Sequence, residues 1–232
     1  MAVAPEKRET ELTFGEKLND FMQKHRKLIV ISFSVIVLTL AAFAIGSHVR
    51  DRNRENALTR LDELVLKYEE LRFFIGSEEA EDMDRQIEII VLLEELAAFG
   101  SRNSGFPAAR AYSLRGDIFW EMKNFYEAEE AWLSAASLAG RSYFAPVSYF
   151  NAAVAAEEQG NIETAISHFR SAISYGDIFP GGAQAQFSIG RLQESLNDRA
   201  AALESYRNLI NNWSDDPVWP DLAQSRVIML TE

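Results

Sequence analysis

The chain of 232 residues has no cysteine. That excludes disulfides, thiol nucleophiles, thiolate metal ligands and a lipid-modified N-terminal cysteine, while leaving an oxidising compartment open. Histidine is nearly as scarce: His25, His48 and His168 lie far apart, and none has a partner at the i, i+4 spacing of a metal-binding helix. Solvated or interfacial histidines are expected, and no metal site. No G-x-S-x-G, Walker or dinucleotide-binding glycine pattern occurs, and Gly181-Gly182 follows Pro180 as a turn would. The acidic cluster Glu78 to Asp84 lacks the oxygen-ligand periodicity and central glycine of a calcium loop, and reads as a complement to the positive end of the next helix. Nothing remains from which to build a catalytic site, so the chain is expected not to be an enzyme and to need no cofactor. Positive charge is also short, with 23 Lys and Arg against 35 Asp and Glu, a net charge of −12. Most of the deficit lies beyond Gly46, because the 27 residues before Leu28 hold six basic and five acidic side chains. Phosphate binding needs the opposite sign, so nucleic acid is not an expected partner.

What is present begins with an apolar run. Leu28 to Gly46 is 19 residues without a charge, about 28 Å long at roughly 1.5 Å per helical residue, close to bilayer hydrocarbon thickness. His25, Arg26 and Lys27 stand at one end, and His48, Arg50, Arg52 and Arg54 at the other. These features predict a transmembrane helix over 28–46 that contacts the lipid bilayer. A cleaved signal peptide is the competing reading, with Ala42-Phe43-Ala44 as a small-x-small site, although the acidic, mixed segment ahead is long for an n-region. Six basic residues precede the run and four follow it up to Arg60, a bias toward a cytoplasmic N-terminus and a translocated C-terminal part.

The second feature is an internal repeat. Ala128, Ala165 and Ala202 are 37 residues apart, as are Trp132, Phe169 and Tyr206, and Ala135, Ala172 and Leu209. Gly116, Ala153 and Gly190 keep the same spacing, as do Asn124, Asn161 and Asp198. Each copy parses as two amphipathic helices by i, i+3, i+4 apolar spacing. The first helices are predicted at 110–122, 146–158 and 183–195, and the second at 126–139, 162–175 and 199–211. Gly140 and Gly176 fit helix C-termini, and Pro146 and Pro180 mark links between copies. Small residues four before an aromatic let two helices approach while the ring fills the space beside them. Helices are also predicted over 49–75 and 82–99, and one from Pro220 that covers the last copy, as a solenoid needs. The expected fold is all-α: a single transmembrane helix, then an α-solenoid of three to four helical hairpins with a C-terminal capping helix. The expected divisions are a tail at 1–27, the span at 28–46, leading helices and an atypical first repeat at 47–105, and repeats with cap at 106–232.

This arrangement resembles the tetratricopeptide repeat, which places small residues as at Gly116, Ala128 and Ala135 around an aromatic as at Trp132. The second copy matches with Ala153, Ala165, Phe169 and Ala172; the third departs at Leu209, and the period of 37 exceeds the family's 34. With the apolar run and the ending NNWSDDPVWPDLAQSRVIML, the chain is similar to small, single-span, periplasm-facing tetratricopeptide proteins of bacteria, among them an ancillary subunit of the Sec translocon. The resemblance implies a groove lined by the first helices: Arg110, Ser113, Asp117, Trp120 and Glu121; Val147, Phe150, Val154, Glu157 and Glu158; Gln184, Phe187, Arg191, Glu194 and Ser195. Aromatics rimmed by carboxylates suit an apolar or amphipathic, somewhat basic segment. The Lys and Asn that grip a C-terminal carboxylate in some relatives are missing. The competing reading is that the leading helices fold over this groove. The resemblance further implies a protein-interaction module in the bacterial inner membrane, with its C-terminal domain periplasmic, that binds translocon or envelope subunits or chaperones. The alternative is a structural scaffold subunit of a larger envelope assembly.

Overall fold

The computed structural model describes residues 14–75 and 83–232. Much of the acidic cluster, Glu78 to Asp82, lies outside the described residues, whereas Asp84 stands in the first turn of a helix as expected. The chain divides into two units, 1–56 and 57–232. The helices in order are α1 (Phe14–Leu71), α2 (Met83–Arg102), α3 (Gly105–Glu121), α4 (Phe125–Ala139), α5 (Phe144–Glu158), α6 (Ile162–Ile173), α7 (Gly182–Ser195), α8 (Arg199–Asn212) and α9 (Trp219–Thr231), with a 3-10 turn at Gly176–Ile178.

The expected transmembrane helix over 28–46 is corrected. Among the described residues no helix is long and apolar enough to cross a membrane. α1 also continues past the apolar stretch into charged turns around Arg52, Arg54 and Arg60. In the first unit, Leu28, Val30, Ile31, Phe33, Leu38, Leu40 and Phe43 are all exposed.

In the second unit each helix packs on its sequence neighbour, from α2 on α3 through to α8 on α9, and first helices also meet directly, α3 with α5 and α7 with α9. This nearest-neighbour stacking is a solenoid, and the hairpins α3–α4, α5–α6 and α7–α8 are the three predicted copies. The hairpin turns repeat in backbone conformation. Lys123, Gly160 and Asn197, spaced by 37, have φ of 59°, 78° and 60°, a left-handed position that glycine adopts without strain and lysine does not. The next residue is the N-cap each time, and the Asp198 carboxylate accepts a bond of 3.0 Å from the Ala201 amide.

The first helices begin earlier than periodicity predicts. α3 starts at Gly105 and α5 at Phe144, so Pro146, expected in a link, sits inside a first turn, as does Pro107. A first turn has no intrahelical partner for those amides, so proline fits there. Leu61, Leu64, Leu71 and Ile75 from the end of α1 and the turn after it form one core with Leu92 and Leu96 of α2 and Leu114 and Ile118 of α3. Lys67 Nζ adds an ion pair of 2.7 Å to Glu95 of α2.

Candidate functional site

Side chains of the small-residue columns determine what the first helices can present. A Cβ on Gly116 would lie 2.5 Å from Nε1 of Trp132, and one on Gly190 would lie 2.6 Å from the Tyr206 ring. The absence of a side chain therefore lets α4 and α8 lay their aromatics against α3 and α7. Copy two carries Ala153 instead and opposes it with the smaller ring of Phe169, both fully buried. The Trp132 indole N–H, so placed, donates to Asp117 Oδ1 at 3.1 Å. The Tyr206 hydroxyl donates to Glu194 Oε1 at 2.6 Å.

Around Trp132 a groove of ≈ 390 Å³ opens between α1, α3, α4 and α5, lined by Tyr68, Asp117, Trp120, Glu121, Trp132, Phe150, Asn151 and Val154. Of the fifteen residues expected in a groove, Asp117, Trp120, Glu121, Phe150 and Val154 line this one. Its other walls escaped the sequence reading. Trp132 and Asn151 belong to the repeat, but Tyr68 comes from the leading helix, so that helix supplies an edge of the groove. The indoles of Trp120 and Trp132 meet at a tilt of 45° with centroids 5.9 Å apart. Phe150 is braced behind by Phe169 at 5.2 Å and Phe179 at 5.9 Å.

The remaining expected residues have other surroundings. Ser113 is buried and Val147 half-buried, while Arg110 lies over the Phe144 ring at 5.7 Å. Glu157 accepts a guanidinium fork from Arg191, with bonds of 2.6 and 2.7 Å, linking copy two to copy three. Glu194 is held by Arg226 of α9 as well as by Tyr206. Phe187 packs between Tyr206 at 5.4 Å and Trp219 of α9 at 5.3 Å. The capping helix therefore occupies the inner face of copy three. Gln184, Ser195 and Glu158 are exposed and do not line the groove of copies one and two. Two expected rim carboxylates, Glu157 and Glu194, are thus already paired with arginines inside the protein.

The carboxylates differ in sign of perturbation. Burial pushes the Asp117 carboxyl above the ordinary range, only partly offset by the Trp132 bond and by Arg110. The Arg226 fork, with help from Tyr206, holds Glu194 below it. Burial, then Asp117, raises Tyr68. A raised folded pKa means that the ionised Asp117 opposes folding at neutral pH and that the opposition fades as pH falls through that pKa. A lowered one means that Glu194 supports folding at neutral pH and that its support is lost as pH falls through the carboxylate range. Asp117→Asn should therefore raise the melting temperature at pH 7, and Glu194→Gln should lower it. The Asp117→Asn difference should shrink in scans from pH 7 toward pH 4, whereas the Glu194→Gln difference should persist to the ordinary glutamate range and shrink only below it. A destabilising Asp117→Asn at pH 7 would contradict the assignment of Asp117 as an under-compensated charge.

Three buried or half-buried groups elsewhere form a satisfied network rather than a site: Glu129 accepts from Gln159 at 2.7 Å and contacts His168 Nε2 at 2.9 Å. Among the described residues no group of three His, Cys, Asp or Glu could hold a metal ion.

Comparison with known proteins agrees with the repeat reading. A tetratricopeptide repeat family model matches residues 150–217, from within α5 to just past the end of α8. A TPR repeat-containing protein of Treponema pallidum (strain Nichols) is 29% identical over 229 residues, 93% of each chain. Among solved structures, the Arabidopsis OM64 TPR domain is 19% identical, with 53% of this chain and 95% of that chain covered at a TM-score of 0.42.

Proposed function

We propose that this chain, whose stacked hairpins over α5 to α8 are of the tetratricopeptide type, is a protein-interaction module that holds a segment of a partner protein in the groove between α1, α3, α4 and α5. The single observation that carries the reading is that groove, with half-buried Trp120 and Phe150 presented beside the exposed Glu121. Half-buried rings in a pre-formed cleft are the usual anchors of peptide recognition. The finer reading places the partners in an assembly at the bacterial envelope, such as translocon subunits or chaperones, with the repeat unit on the periplasmic side. The exposed apolar side chains of α1, bordered by basic residues, support contact with lipid or an apolar partner there without a helix that crosses.

A photocrosslinking side chain introduced at Glu121 and, as an outward control, at Glu163 of α6 tests the module in whole cells. Proteins captured from Glu121 and not from Glu163 support it. Phe150→Ala in the Glu121 background should reduce recovery about tenfold, as loss of one anchor worth ~1.4 kcal/mol implies, with helical circular dichroism retained. Capture from Glu163 alone would remove the groove from the account. Stoichiometric recovery of one large assembly would favour a permanent scaffold subunit over a recruiting module. Protease access to the repeat unit in spheroplasts tests its side of the membrane.

A further inference from the structure

The groove's lining is specific beyond protein binding in general. Four rings, from Tyr68, Trp120, Trp132 and Phe150, surround it, and its two charged residues, Asp117 and Glu121, are both acidic. None of its lining residues is basic, whereas farther along the solenoid arginines of α7 and α9 neutralise carboxylates, as Arg191 does Glu157 and Arg226 does Glu194. Among the described residues the hydrogen-bond donor to Asp117 is an indole N–H, and Arg110, the basic residue that most offsets its charge, is turned over the Phe144 ring. A tilted pair of indoles beside a half-buried, under-compensated carboxylate is complementary to an organic cation, whose charge gains from ring faces and from the acid together. The raised pKa of Tyr68, caused in part by Asp117, places that ring in the same negative field.

We propose that this cleft takes the lysine or arginine side chain of a partner polypeptide, with its head group among the rings and against Asp117 and Glu121. The apolar stem would run past Phe150 and Val154, as long cationic side chains do along apolar surface. The proposal rests on the reading of this groove as the protein-binding site and adds which residue of the partner it selects.

The test uses the full chain and two five-residue peptides, acetyl-Ala-Leu-Lys-Leu-Ala-amide and its norleucine counterpart, followed by the indole N–H resonances of Trp120 and Trp132. The lysine peptide should bind about tenfold more tightly than the norleucine one, the factor expected of a desolvated cation–ring contact near 1.4 kcal/mol. Glu121→Gln and Trp120→Leu should each remove most of that preference, and Glu130→Gln, on the exposed face of α4, should leave it intact. Equal binding of the two peptides overturns the inference. If Phe150→Ala then weakens both, the groove still binds protein and only the choice of cation fails. A lysine preference that survives both variants overturns it, as does failure of the lysine peptide to saturate below about 1 mM. Choline chloride binding as tightly as the peptide overturns the assignment to a polypeptide.

Discussion

Gly116→Ala is expected to destabilise the repeat unit by about 2 kcal/mol in urea unfolding, within the range for adding one carbon to a close-packed interior. The added Cβ would lie 2.5 Å from Cδ1 and Nε1 of Trp132 and 2.7 Å from Cε2. The ring has little room to retreat, because Trp132 is 4% exposed and its N–H is engaged by Asp117. Copy two shows how the same seat tolerates a methyl group, since Ala153 faces the smaller ring of Phe169 there. The double variant Gly116→Ala, Trp132→Phe copies that pair and should regain most of the loss. A thermodynamic cycle with no coupling between the two sites would show that the small-residue columns do not serve as seats for the rings. The same substitution displaces one wall of the groove, so the lysine preference should weaken in Gly116→Ala even where the chain stays folded.

That argument was legible in the sequence, because helix-to-helix seating within a hairpin depends on residues 12 to 16 apart that recur with the period of 37. The positions of the hairpin turns were legible for the same reason, and Lys123 occupies a left-handed turn position only because the register demands it. The groove was legible in part. Asp117, Trp120, Glu121, Phe150 and Val154 follow from the face of the first helices. Tyr68 does not, because its place depends on how Leu61 and Leu64 dock on α2 and α3, a contact between segments that are not copies of one another. At the other end Trp219 and Arg226 take Phe187 and Glu194 out of the expected groove. The residues WPDLAQSR carried the signal, an aromatic and a cation on the helix that covers the last copy. The transmembrane expectation failed differently. It was drawn from a run of uncharged residues in the sequence, whereas among the described residues no helix has that length and apolarity together.

Removal of the leading helix is expected to have the largest effect on the repeat unit. A chain that begins at Ala57 keeps the whole of the second unit and should unfold cooperatively with its stability unchanged within about 1 kcal/mol. A chain that begins at Met83 loses Leu61, Leu64, Leu71 and Ile75, which are 3%, 0%, 7% and 5% exposed. At ~1.5 to 3 kcal/mol for each buried side chain, the loss is roughly 6 to 12 kcal/mol, comparable with the entire stability of an ordinary domain of about 5 to 15 kcal/mol. The Lys67–Glu95 ion pair is lost as well, but both groups are substantially exposed and it adds little. Because a solenoid depends on neighbours, the damage should start at the uncovered faces of α2 and α3, around Leu92, Leu96, Leu114 and Ile118, and decline toward α9. Hydrogen exchange of the shortened chain should thus show α2 and α3 unprotected and α7 to α9 still protected, together with self-association through the exposed leucines. Equal protection along both chains would mean that α1 decorates the solenoid rather than closing its end. The groove supplies a second readout: with Tyr68 gone and α3 loosened, the lysine and norleucine peptides should become harder to distinguish, whereas the chain from Ala57 should discriminate between them as the full protein does.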